Sequence, residues 1–359
     1  MGFAIPVGAE RPVSVLYIGP DGGTCRARRL ALERLGHEVI VADPFAALPS
    51  GGWARTWSFR TGGFGFGAMV RRYLLAVAGG RRFDLAYVDS GELIDGATVD
   101  ALRGVANIVA NYNPDNPYVR RDGARWRAFL TAVPRYDMLF VPRMSNVAQA
   151  RAAGARRVHR VWFAADDALK LAGPSDAAKA PYRSTIAFVG TWMPERGPLL
   201  ARLIEGGLPL RIFGPRWNKA PEFALLAPHA VVGELAGPAY DAAVAAADIS
   251  IALLSKGNCD EHTTRSMEIP PLGSLLCGER TPEHLALYEE GEEALFWSDA
   301  DECIAQCKAL LADPDRRARI AAAGRARAIA NNHFNEPLMR SMIATALGHA
   351  EAEPVEVAA

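Results

Sequence analysis

Residues 13–42, VSVLYIGPDGGTCRARRLALERLGHEVIVA, hold a short apolar run, a glycine-rich turn, a helical stretch and a second apolar run. The run 13–18 reads as a strand, Gly19 to Gly23 as a turn, and Thr24 to Leu35 as a helix that Gly36 stops; 38–42 is the next strand. Two strands joined by a helix within about 30 residues make a βαβ unit. A crossover of that kind leaves its strands parallel.

The same rhythm continues outward. Apolar runs at 84–88, 105–110, 137–141 and 157–161 read as further strands with helices between them. They are continuous rather than alternating, which suits strands covered on both faces. Residues 50–67, with Trp53, Trp57, Phe59, Phe64, Phe66 and six glycines, break the rhythm and read as a long loop. Its aromatics suit either a platform for a sugar or lipid acceptor or rings folded back on the core. A second series follows at 184–189, 209–213, 230–232, 248–253 and 273–277. The chain is therefore expected to be α/β, with two Rossmann-like domains facing across a cleft. Their bounds are 1–165, a linker at 166–183, 184–335, and a C-terminal helix and tail at 336–359 that could pack on the first domain.

Composition narrows the function. The 359 residues are 50% hydrophobic and 22% charged, an ordinary globular mix. Forty basic side chains balance forty acidic ones, so no net field draws in nucleic acid. Cys25, Cys259, Cys277, Cys303 and Cys307 lack Cys-x-x-Cys spacing and read as reduced, buried thiols, and the seven histidines show no metal-ligand spacing. No bound metal and no cofactor are expected. With no signal-like start and no apolar run of about 18 residues, the expected location is cytoplasmic, with no transmembrane segment.

In open parallel sheets ligands bind beyond the carboxyl ends of the strands. That rule nominates three loops in the second half. In FVGTWMPERG, Gly190 ends a strand, Thr191 follows, Pro194 can open a helix, and Arg196 falls in its first turn. A cation there opposes the helix dipole unless an anion is bound. In IFGPRWN, Gly214 turns the chain ahead of Arg216, Trp217 and Lys219, where Trp217 suits either a nucleotide base or the core. The third loop, Lys256 to His284, offers Thr263 or Thr264 as a cap for a short helix carrying Arg265 and Glu268. A carboxylate so held can take two hydrogen bonds from a ribose diol while Arg265 neutralises phosphate. A mutual Arg265–Glu268 ion pair at i,i+3 is the plainer reading. Asp260 stands eight positions before Glu268, two helical turns if the helix reaches that far.

The run DEHTTRSMEIPPLGSLLCGERTPEHLALYEEGEEALFW is similar to the C-terminal signature of the CgeB-type, spore-maturation-protein-like glycosyltransferases. These are a branch of the retaining superfamily with the GT-B fold. The likeness rests on an Arg, a Met-Glu, an Ile-Pro and a Gly, then Thr-Pro-Glu and a Glu-Gly pair; it is densest over 184–300. The resemblance implies a metal-independent hexosyltransferase-like enzyme that takes a nucleotide-diphosphate sugar. Glu268 would hold the ribose and Arg265 the diphosphate, with Gly190, Thr191, Arg196, Gly214, Arg216, Trp217 and Thr264 around the donor. The superfamily's usual Glu-x7-Glu meets Asp260 at its first carboxylate, or Glu261 one place late. An unidentified glycan, protein or small-molecule acceptor would come from the first domain, where Asp21, Thr24, Asn111, Asn113 and Asp115 end strands or turns, with Asp89 as the candidate base. Asn113 and Asp115, beside proline, equally suit Asx turns.

Three competitors stand beside this reading. An NAD-dependent oxidoreductase would need G-x-G-x-x-G, whereas the first turn reads GPDGGT. A nucleotide-sugar epimerase would share the architecture. A non-catalytic nucleotide-sugar-binding protein would explain a shortened carboxylate pair.

Overall fold

The computed structural model describes residues 11–348. Two compact units separate, Met1–Val161 with Met339–Ala359, and Trp162–Leu338. The first holds β1 (Ser14–Ile18), β2 (Glu38–Ala42), β3 (Phe83–Asp89), β4 (Ala106–Tyr112), β5 (Met138–Val141) and β6 (Val158–Arg160). They form one sheet in the order β2-β1-β3-β4-β5-β6, every pair parallel.

The second unit holds β7 (Ser184–Val189), β8 (Leu210–Gly214), β9 (Ala230–Val232), β10 (Ala247–Ala252), β11 (Leu275–Glu279) and β12 (Leu295–Trp297). Its order, β12-β11-β10-β7-β8-β9, is also parallel throughout. Counted from β9, this is the doubly wound arrangement 3-2-1-4-5-6, whose order reverses between β7 and β10. Alternate residues of one strand enter different cores: Ile186 and Phe188 pack on one face, Ala187 and Val189 on the other. Burial on both faces is why these strands carry unbroken apolar runs.

Three expectations change. Residues 50–67 are not a bare loop, because Gly52–Thr61 and Gly67–Ala78 are helices. Gly62, at φ 67°, caps the first of them instead of dispersing the chain. Residues 166–183 are not a bare linker: Asp167–Ala172, Asp176–Lys179 and the turn Ala180–Tyr182 fold within the second unit. Lys170 anchors this segment through a buried ion pair with Asp241, a polar tie that hydrophobic periodicity does not reveal. Strand β12, three residues long, was not anticipated.

The last helix, Asn335–Leu347, joins the first unit from Met339 on; Met339, Met342, Ile343 and Ala346 are buried, and the Tyr87 hydroxyl donates to Met342 Sδ at 3.5 Å. The leading residues 1–10 and the tail EAEPVEVAA lie outside the described residues. Among the described residues no helix is long and apolar enough to cross a membrane.

Candidate active site in the second unit

Where β7 and β10 lie side by side, the chain leaving one turns away from the chain leaving the other, and a crevice opens at their carboxyl ends. Gly190 floors it just beyond β7. A Cβ there would stand 2.9 Å from Phe188 Cζ and 3.0 Å from Arg265 Nη2, so the missing side chain lets a guanidinium lie against the backbone. Gly214 ends β8 at φ 145°, and a Cβ on it would meet the Gly190 carbonyl oxygen at 2.2 Å. Only glycine permits that approach.

Two arginines straddle this point. Arg265 donates from Nε to the Val189 carbonyl at 2.8 Å. Arg196, the first residue of the helix Arg196–Glu205, donates from Nη1 to the Thr191 carbonyl at 2.9 Å and from Nη2 to the Leu253 carbonyl at 3.4 Å. It thereby ties the loop after β7 to the loop after β10. Arg196 is only 4% exposed, yet among the described residues neither arginine has a carboxylate within ion-pair distance. Burial, and then the nearby Arg265, lower the Arg196 guanidinium to about 10. Two neighbouring cations, hydrogen-bonded to carbonyls and without a direct ion pair among the described residues, one of them at a helix N-terminus, leave charge for an anion to neutralise.

Glu268 ends the one-turn helix Thr264–Glu268 beside them. Thr263 caps this helix, accepting at 3.1 Å from the Arg265 amide, while its own amide donates to Ser266 Oγ at 3.1 Å. Ser266 Oγ also meets His284 Nε2 at 2.7 Å, and His284 Nδ1 meets the Glu279 carbonyl at 2.6 Å. A carbonyl can only accept, so Nδ1 carries the ring proton and Nε2 accepts from the serine hydroxyl. Burial lowers His284 to about 4, which keeps it neutral.

The simple Arg265–Glu268 ion pair does not form. Glu268 Oε2 accepts from the Tyr240 hydroxyl at 2.7 Å, and Oε1 lies 3.6 Å from Lys170 Nζ. A carboxylate has about four lone-pair sites, so it keeps capacity for a ligand's hydroxyls. Tyr240, Arg265, Gly190, Thr191, Gly214 and Glu234 are among the residues lining a cavity of about 140 Å³. A larger cavity of about 530 Å³ lies at the opposite, amino-terminal edge of the sheet, beside Asp248, Gly273 and Arg183, where Arg317 is already paired with Asp248.

Several residues expected at the donor or acceptor stand elsewhere. Trp217 is wholly buried, donates its indole N–H to the Gly190 carbonyl at 2.9 Å and packs edge-on against Phe188, so its ring supports the floor and has no face for a base. Arg216 sits at φ 69° with its guanidinium 5.9 Å from the Trp192 ring. Asp260 lies outside the helix, which begins at Thr264, and accepts instead from the Ser255 amide at 3.4 Å; Asp260 and Glu268 therefore share no helical face.

In the first unit Asp89 does end β3, but it is 1% exposed and holds Arg28 at 2.7 and 2.9 Å together with the Tyr17 hydroxyl. A sealed, doubly engaged carboxylate is not a free base. Asn111 is buried, donating to the Val88 and Ser90 carbonyls, and Asn113 accepts from the Asp115 amide at 3.0 Å, an Asx turn. Asp115 pairs with Arg125 at 3.4 Å. Asp21, paired with Arg29 at 3.3 Å, and Thr24 are exposed beyond β1.

Sequence reasoning passed over Lys170 and Tyr240, which lie 98 and 28 positions from Glu268, and His284, which lies 18 positions from Ser266 across a strand. It also separated Cys277 from Cys303 and Cys307, whose three sulfurs meet within 4.8 Å in the core; the i,i+4 spacing of the latter two was the available signal.

A chain with two parallel, doubly wound sheets and a cationic crevice at the switch point of the second has the architecture of the GT-B class. Sucrose-phosphate synthase from Thermosynechococcus elongatus superimposes with a TM-score of 0.67 at 14% identity, covering 92% of this chain and 97% of that one. Anabaena HepE in complex with UDP-glucose gives 0.66 at 13%, over 94% and 100%. The E. coli trehalose-6-phosphate structure bound with UDP-2-fluoro glucose gives 0.64 at 12%, over 93% and 99%. At such identities the likeness is one of fold. Residues 196–344 match the model of the glycosyl transferase-like family, a stretch that begins at Arg196 and contains Arg265 and Glu268. No curated protein matches the chain in sequence. The C-terminal stretch thus carries the glycosyl transferase-like match, and the chain as a whole has the GT-B fold.

Proposed function

We propose that the enzyme moves a sugar from a nucleotide-diphosphate sugar to an acceptor, without a bound metal and with retention, as a CgeB-type cytoplasmic transferase. The observation that carries the donor is the pair of uncompensated guanidinium groups, Arg196 and Arg265, tied to backbone carbonyls across the β7–β10 switch point beside Glu268. A diphosphate supplies the missing negative charge, and Glu268, steered by Tyr240 and Lys170, receives the ribose hydroxyls. With Asp89 engaged by Arg28 and Tyr17, catalysis rests on positioning and on stabilising the leaving diphosphate. UDP and UDP-glucose, bound in HepE, are the first donors to try.

The test is a thermal-shift series with UDP-, GDP-, dTDP- and CMP-sugars, since a ligand that binds only the native state raises the melting point. One donor is expected to raise it, and Glu268→Ala to weaken that donor by roughly 1.5–3 kcal/mol, tenfold or more. A shift that Glu268→Ala leaves unchanged removes Glu268 from the site. The sealing of Asp89 favours one second reading, a non-catalytic binder. Tight donor binding without release of free nucleotide, with or without acceptors, would select it.

A further inference from the structure

Between Asp43 and Asp84 the sequence contains no acidic residue and six arginines, at 55, 60, 71, 72, 81 and 82. The structure gathers the exposed aromatics of the first unit in the same stretch. The helix Gly52–Thr61 buries only Ala54 and Ser58, so Trp53, Trp57 and Phe59 stand out to solvent. Phe64, on the glycine turn that follows, is 65% exposed and Trp53 58%. These rings are held in place. The Trp57 indole N–H donates to the Phe64 carbonyl at 3.0 Å, and Trp53 leans on the buried Phe66 with ring centroids 6.3 Å apart. Among the described residues Arg55, Arg60, Arg71 and Arg72 have no carboxylate partner, whereas Arg81 pairs with Glu38.

We infer that the face on which Trp53, Trp57 and Arg60 follow one another at helical spacing and Phe64 joins Trp57, within the stretch that also carries Arg55, Arg71 and Arg72, docks the enzyme on an anionic lipid surface. Exposed tryptophan and phenylalanine lose little by remaining in water singly, but a fixed group of them gains by entering the boundary between headgroups and acyl chains. Arginines without counter-charges add attraction for anionic headgroups, and a single carboxylate among them would oppose it. Neither contribution alone holds a protein at a membrane; together they do. The segment leaves the carboxyl end of β2, so docking sets a lipid surface against the strand-end side of the first sheet. This inference does not rest on the donor site and requires no nucleotide.

The experiment is co-sedimentation of the full chain, without nucleotide, with phosphatidylcholine vesicles and with vesicles that also contain phosphatidylglycerol. Binding is expected only to the second and is expected to fall as salt is raised. The double variant Trp53→Ser, Phe64→Ser should lose it; both side chains are exposed, and an unchanged melting temperature certifies the fold. Arg60→Gln with Arg72→Gln, an independent variant, should weaken it about fivefold per charge. Absence of binding to either vesicle, equal binding to both, or undiminished binding by a folded double variant overturns the proposal. So does tryptophan quenching by soluble oligosaccharides or acidic peptides in a protein that ignores vesicles, which would make the face a sugar or protein platform.

Discussion

Arg196 sits where burial of a cation is costly to a folding chain. Its side chain is removed from water, lies near a second guanidinium and opens a helix whose dipole repels it. Carbonyl oxygens satisfy two of its nitrogens, while Nε has no partner among the described residues. Such a group is retained for a ligand rather than for stability. Arg196→Met, which keeps the length and removes the charge, is expected to leave unfolding in urea within about 0.5 kcal/mol or to stabilise the protein. The same variant should weaken the donor by roughly 1.5–3 kcal/mol in the thermal-shift series. A destabilised variant with intact donor binding would make Arg196 structural. Asp89 shows the opposite case: its place at a strand end was legible, but Arg28 and Tyr17, which consume it, come from a neighbouring helix and strand that no local pattern connects to it.

The helix Thr264–Glu268 is too short to hold itself, since a single turn does not repay its nucleation. Its cap was readable in HTTRSME. Its brace, His284 through Ser266, was not, because it depends on a strand and a second helix returning beside it. The brace gives the element a pH response. Folded His284 titrates at about 4, below the ordinary histidine value near 6.5, because burial disfavours its charged form. Between those values the unfolded chain binds the proton and the folded one does not, so stability is full above about 6.5 and falls as pH drops toward 4. The loss is on the order of 3 kcal/mol. Urea titrations across this range should show the slope, and His284→Gln should flatten it. A variant with the slope of the parent protein would place the titration elsewhere.

At the scale of the whole chain, the two sheets were legible because parallel strands buried on both faces write themselves as apolar runs, as in VSVLYI and STIAFV. What escaped was held by polar or outward-facing groups: the Lys170–Asp241 anchor, and the helix Gly52–Thr61 with its rings in solvent. Of two cavities bordering the second sheet, the larger lies at the wrong edge for a doubly wound sheet. Volume favours the amino-terminal one; topology and free charge favour the smaller. Hydrogen exchange decides between them. If the donor is held by Arg196, Arg265 and Glu268, its addition should slow amide exchange over 190–196 and 254–265. Residues 176–183 and 245–248, which border the other cavity, should be unaffected. Protection confined to that opposite edge would reverse the assignment, and the two cations at the switch point would then need another anion.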